Sequence, residues 1–269
     1  MTAPAKVWEY RTLIGNLAAR DLRSRYKKSL LGWLWSLINP AATLGIYTVV
    51  FGYFLKGSAP IGGNGTLESF ALWLFAALVL WNSFSNGINT AMSSFLSSGG
   101  LLTRTYFPPE CPVIAGSITV LTQTCVESMI LLGFMVALGN LGWTTLFLPI
   151  IALLTTCFAF GIGMIVSLLN VRYRDVAYLV GIFLQIGFYA TPIVYRLDQI
   201  PNHVVFFSPQ VVLKYNPLTH FVGAMRNAVY LLQPPTLVNW LVMIGSAAAS
   251  MLIGWRFFAR RAPRFIEEI

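Results

Sequence analysis

The chain has 269 residues, of which 57% are hydrophobic and only 10% charged, with a mean hydropathy of +0.70. That composition excludes an ordinary soluble domain. The 18 Lys and Arg against 9 Asp and Glu set orientation against a cytoplasmic leaflet in a chain this apolar, rather than contacting nucleic acid.

A membrane-spanning helix takes about 20 apolar residues, so the length accommodates six of them with short loops and no separate catalytic domain. The expectation is one all-α membrane domain. It consists of an inner interface segment at 1–28, six spans within 29–257 and a cytosolic tail at 258–269. The opening segment lacks a secretory pattern, because it is polar and basic for too long before the first apolar run. Trp8 to Lys28 reads as an amphipathic helix, with Tyr10, Leu13, Ile14 and Leu17 on one face and Arg20, Arg23 and Lys27 on a basic face beyond them.

Residues 29–55, 69–103 and 128–171 contain no charged side chain and locate the spans that follow. The first run is one span. In the second, Ser97-Ser98-Gly99-Gly100 ends a helix near residue 96, and Leu101 to Phe107 forms a short interfacial element before Pro108-Pro109. Gly139-Asn140-Leu141-Gly142 supplies a turn that divides the third into a hairpin of helices near 112–138 and 143–170. Further spans are predicted near 176–195 and 236–257. Between them, residues 196–235 are apolar but interrupted at Asn216-Pro217, which predicts short re-entrant or interfacial helices at the outer side. With both ends of the chain inside, 14 of the basic residues fall on the cytosolic side and four outside, Lys56, Arg196, Lys214 and Arg226; this is the positive-inside asymmetry.

Polar groups within the spans are few. Glu127 is the acid well inside one, and Gly116, Thr119, Gln123 and Thr124 fall within about 80° of it on a helical wheel. Such a face meets protein or water, either as interhelical glue or as a substrate or gating element. Gly161-Ile162-Gly163 lies within a span and suits close helix packing. Cys111, Cys125 and Cys157 lack metal-ligand spacing and read as buried free thiols, and no metal site is expected. His203 and His220 read as surface histidines of the outer region. Asn64-Gly65-Thr66 matches a glycosylation pattern by three residues only. No phosphate-binding glycine loop is present, so the chain is not expected to be an enzyme or to bind a cofactor itself. On the first span Trp33, Tyr47, Phe51 and Phe54 form an aromatic stripe on the same side as Pro40. It serves either packing or, with Phe188 and Tyr189 of the fifth span, the lining of a path through the membrane.

One set of motifs is more specific. Ala19-Arg20-Asp21-Leu22-Arg23-Ser24-Arg25-Tyr26-Lys27-Lys28-Ser29, Leu31-Gly32-Trp33-Leu34-Trp35 and Asn39-Pro40 resemble the opening of permease subunits of polysaccharide-exporting ABC transporters. These are the Wzm-like proteins and their teichoic-acid and capsule relatives. Gly100-Leu101-Leu102 with Tyr106-Phe107-Pro108-Pro109-Glu110 fits the same family. So do Arg172-Tyr173-Arg174-Asp175-Val176 with Ala190-Thr191-Pro192-Ile193-Val194-Tyr195, and Tyr215-Asn216-Pro217-Leu218 with Arg226.

The resemblance implies an inner-membrane homodimer paired with two copies of a cytosolic ATPase, which binds the ATP and Mg and drives export of a lipid-linked glycan. It also implies that Arg20, Asp21, Arg23, Leu101, Leu102, Tyr106, Phe107, Arg174 and Asp175 belong to the segments that couple to that ATPase. A drug or heme permease of the same transporter class is the nearest alternative. An integral-membrane enzyme acting on lipid-linked sugars would need clustered catalytic groups near one membrane face, and the sparse acids argue against it. An ion-coupled carrier is disfavoured, since Glu127 alone is ionisable at depth and no inverted repeat is evident.

Overall fold

A computed structural model describes residues 7–26, 31, 34–54, 59–102, 107–173, 175–196 and 213–265. Among them every regular element is helical. The helices are α1 (Arg11–Tyr26), α2 (Trp35–Tyr47, continued by a π-helical segment Thr48–Phe54), α3 (Phe70–Ser97), α4 (Gly99–Leu102) and α5 (Glu110–Ala137). A 3-10 turn, Trp143–Phe147, leads into α6 (Leu148–Arg172), and α7 (Val176–Tyr189), α8 (Pro217–Val229) and α9 (Leu237–Phe265) follow.

Five helices are long and apolar enough to cross a membrane: Trp35–Phe54, Phe70–Leu101, Glu110–Ala137, Trp143–Arg172 and Leu237–Pro263. α7, with 14 residues, is the short sixth. At 1.5 Å per residue it covers about 21 Å of a hydrocarbon core about 30 Å thick. The predicted fifth span therefore ends early, at Tyr189 instead of 195. Pro192 lies just beyond, and a proline disfavours helix in the residue before it and lacks a backbone donor. α9 runs the other way, continuing as helix past residue 257.

Small residues set the packing. α6 lies between α3 and α9 and presents a glycine to each. A methyl group added to Gly161 would strike the backbone of Ser250 and Met251, and one added to Gly254 would strike the backbone of Gly161. On the other side, a methyl on Gly163 would come within 2.6 Å of the Ala91 side chain, and one on Gly87 within 2.7 Å of Ala159. Backbones in a membrane approach this closely only where side chains are absent or minimal, which gains dispersion contact when no hydrophobic driving force separates helix from lipid. The Gly161-Ile162-Gly163 expectation is met.

α3 is the central helix, with every residue from Ala71 to Trp81 buried. Its N-terminal half belongs to a large core with Leu131, Met135, Ile151, Phe221 and Tyr230. At the opposite end a second core gathers Val7, Ile14, Leu17 and Ala18 around Phe95, Phe107, Met164, Leu168 and Phe258. α1 is thus docked on that second end of the bundle, principally along α5. Its apolar face is the predicted one, though Tyr10 and Leu13 are only half-buried. Gly139 adopts φ +67 at the α5–α6 turn, the left-handed conformation that glycine accepts without cost.

Candidate functional site

A polar groove opens between α2, α3 and α5, with a volume of about 310 Å³. Helical periodicity builds each wall. α2 contributes Ser36, Asn39, Pro40 and Thr43, one stripe at spacings of three and four. α3 contributes Asn82, Asn86 and Thr90, each four residues after the last. From α5 come Gln123 and Glu127, also four apart. Trp35 and Phe75 complete the lining, which includes no Lys or Arg among the described residues. Asn82 Nδ2 donates to Glu127 Oε2 at 3.2 Å and Gln123 Nε2 to Oε1 at 3.4 Å, so both oxygens of a carboxylate only 6% exposed receive N–H donors.

The face expected around Glu127 is divided. Thr119 and Thr124 are buried and return their hydroxyls to the Ala115 and Val120 carbonyls of their own helix. A methyl on Gly116 would come within 2.6 Å of Ser94 Oγ, so that part of the face serves packing. Only Gln123 and Glu127 reach the groove. The sequence reading missed the α3 wall. Its signal was present, as Asn82, Asn86 and Thr90 recur every four residues in a span otherwise chosen for its lack of charge.

The described aromatic residues proposed for a path, Tyr47, Phe51, Phe54, Phe188 and Tyr189, are not part of the groove lining. Tyr47 and Phe51 are half-buried, 5.8 Å apart between centroids, and the ladder continues from Phe51 to Phe70 at 5.3 Å and from Phe70 to Trp73 at 5.4 Å. Phe54 is exposed against Tyr53. Phe188 stands edge-on to Trp81 at 5.6 Å, and Tyr189 beside it is exposed. Trp33 lies outside the described residues.

On α1, Arg20 and Asp21 form an ion pair at 3.0 Å, and Arg23 is exposed on the same helix. Leu101 is partly exposed on α4, which also contains Leu102. Phe107 turns inward to the core around Phe95 and is 6% exposed, so any part it has in coupling runs through packing. Asp175 precedes α7 and is exposed, and Arg172 leans over the Tyr173 ring at 5.5 Å. Tyr106 and Arg174 lie outside the described residues.

The end of the bundle away from α1 contains an arrangement that charge counting obscured. Arg226 is not an outer-loop charge: it is buried on α8 and donates to the carbonyls of Trp73, Pro192 and Ile193. Its guanidinium also lies 3.2 Å from the centroid of the Trp73 ring, a cation–π contact. Asn216, which caps α8 by accepting from Leu218 N, donates to Ala190 O at 2.9 Å and Thr191 Oγ1 at 3.1 Å. Tyr195 Oη donates to Tyr189 O at 2.6 Å.

α7 has ended there, and the carbonyls of the chain just beyond it, Ala190, Pro192 and Ile193, need donors that neither helix nor lipid supplies. α8 brings them. Two motifs far apart in the sequence, Ala190 to Tyr195 and Asn216 to Arg226, are one structure. Asn140 closes the same end by donating to Val229 O and Tyr230 O while accepting from Asn64 N.

Two further expectations are corrected. His220 is half-buried, with Nδ1 3.0 Å from Asn239 Oδ1 and Nε2 3.0 Å from Lys214 O; His203 lies outside the described residues. Cys111 is buried, Cys157 is half-buried and Cys125 is exposed, so the thiols do not share one environment. Cys125 is two residues from Glu127, which puts it on the opposite side of α5. Asn64 is held in a turn, donating to Leu138 O and accepting from Thr66 N and Leu67 N.

A polytopic membrane domain with a polar groove and a helix docked across one end of the bundle has the architecture of a transport subunit. Within that class, the ABC-2 type transporter family matches residues 12–230, and the chain belongs to it. The chain is 26% identical over 272 residues to the "O-antigen export system permease protein RfbA" of Myxococcus xanthus, covering 98% of both chains. It is 29% identical over 217 residues to a protein of the same name from Klebsiella pneumoniae, covering 77% of this chain and 76% of the other. It is also 25% identical over 257 residues to the "Polysialic acid transport protein KpsM" of Escherichia coli, covering 91% of this chain and 92% of the other.

Proposed function

We propose that this chain is the membrane subunit of an ABC exporter that carries a lipid-linked polysaccharide across the cytoplasmic membrane. The observation that carries the reading is the end-to-end similarity to a protein named as an O-antigen export permease. The architecture is in keeping with it. Two copies of the chain pair with two copies of a cytosolic ATPase, which holds ATP and Mg, and both ends of this chain face the cytosol. α1, α4 and the α6–α7 loop form the face turned to the ATPase, because an element that transmits its motion must be packed rigidly into the spans. α1 meets that condition through Ile14, Leu17 and Ala18. α2 and α7 bear large exposed apolar side chains, Leu37, Ile38 and Ile46 on one and Leu179, Ile182 and Phe183 on the other, which a second copy or lipid covers.

Deleting the gene in its native host tests the reading. Surface polymer should be lost while the lipid-linked glycan accumulates inside, and the intact gene supplied in trans should restore export. Undiminished surface polymer in the deletion strain would refute the assignment.

A further inference from the structure

We propose that the groove between α2, α3 and α5 binds the uncharged, hydroxyl-rich sugar portion of the transported molecule on its way in from the inner side. The inference rests on the reading of the chain as a glycan permease and assigns that glycan a place in the fold. Its depth comes first. Thr90 is seven residues from the inner end of α3 and Asn82 is fifteen, about 10 Å and 22 Å at 1.5 Å per residue. The α2 wall begins at Trp35 and Ser36, in the first turn of that helix, at the end of the bundle where α1 docks. The groove therefore runs from the inner face to mid-membrane, a depth at which lipid would favour an apolar wall.

The chemistry of the lining selects among occupants. Carboxamides and hydroxyls both donate and accept, matching the alternating donor and acceptor character of a sugar hydroxyl. The indole of Trp35 adds an apolar face with a polar edge. A phosphate would find no cationic side chain among the described residues of the lining and would meet the Glu127 carboxylate as a like charge. A cation is also poorly served, because both Glu127 oxygens already take N–H donors from Asn82 and Gln123. An acyl or polyprenyl chain gains nothing from carboxamides. The volume, about 310 Å³, lies at the low end for small-molecule sites and leaves room for roughly one or two sugar rings. The lipid portion stays outside, in the bilayer.

The test uses the native host with the chromosomal gene deleted. Complementation with an Asn86→Leu, Thr90→Val variant removes two of the three polar groups of the α3 wall without touching the bonds to Glu127. At equal subunit abundance, surface polymer should fall at least tenfold and lipid-linked glycan should accumulate; export within twofold of wild type overturns the inference. A second measurement stands if that variant is poorly inserted. Asn86→Cys, in a chain whose Cys111, Cys125 and Cys157 are replaced by alanine, is assembled with its ATPase in nanodiscs and treated with 2-aminoethyl methanethiosulfonate.

The cysteine should react, and the lipid-linked glycan isolated from the deletion strain should slow it at least fivefold, whereas polyprenyl phosphate should not. No reaction, no protection, or equal protection by polyprenyl phosphate each overturns the sugar site. Loss of export on deletion together with any of these leaves the permease reading standing and removes only the groove assignment; undiminished export on deletion removes both.

Discussion

At the end of the bundle closed by α8, Arg226 meets three backbone carbonyls and the face of Trp73, whereas at mid-bundle Glu127 meets two carboxamide side chains and an open cavity. Both side chains are under 10% exposed, yet their surroundings differ in kind. The partners of Arg226 are fixed by the chain's path and cannot turn away; those of Glu127 are side chains that can rotate or accept water. A sealed site of the first kind holds the fold, and an open one of the second kind leaves donors and acceptors for a passing ligand.

The largest effect should come from Arg226→Leu. It removes the donors of Pro192 O and Ile193 O, which lie outside any helix, and a further donor to Trp73 O of α3, and charge-assisted bonds of this sort are worth about 1.5–3 kcal/mol each. A loss of about 4 kcal/mol or more is expected, seen as a collapse of membrane abundance and a lowered thermal unfolding midpoint in detergent. Arg226→Lys should recover less than half of it, since one ammonium cannot span the donors of a planar fork. An unchanged midpoint in Arg226→Leu would place the two sites in the same category. Asn140→Ala should follow at about 1–3 kcal/mol, because Val229 O, Tyr230 O and Asn64 N lose a partner together. Its test is the same midpoint, and its effect should add to that of Arg226→Lys only in part, as both hold the ends of α8.

How legible each region was in the sequence follows the same contrast. The long spans read well, because lipid demands a continuous apolar helix and charge-free runs reveal it. The Gly139 turn, the close of α3 at Ser97 and the packing role of Gly161 also read well, since each depends on local chemistry. The early end of α7 did not, because Ile193 and Val194 keep the run apolar past Pro192, and the donors that make the break tolerable sit on Asn216 and Arg226, more than 20 residues on. Counting Lys and Arg by loop put Arg226 in solvent, which is where such a count must put it. The groove was half legible. Glu127 and Gln123 stood out as polar, while Asn82, Asn86 and Thr90 passed unnoticed in a run selected for carrying no charge.

The smallest effect on stability is expected at Glu127 itself, and it distinguishes the two sites most sharply. Glu127→Gln removes a charge held in a mostly buried position and keeps a group that can both donate and accept. Rotation of the Asn82 and Gln123 amides can then present an oxygen where each now presents an N–H. The energy once spent on desolvating the carboxylate is no longer needed, which offsets the weaker neutral hydrogen bonds. The unfolding midpoint should therefore stay within the range of about 1 kcal/mol, or rise. Even Glu127→Leu should cost only about 1–2 kcal/mol, because the two carboxamides left behind face a groove that water can enter. A loss at Glu127→Leu as large as that at Arg226→Leu would mean that the groove is sealed in the folded protein, and that its polar lining exists to join three helices instead of to receive a ligand.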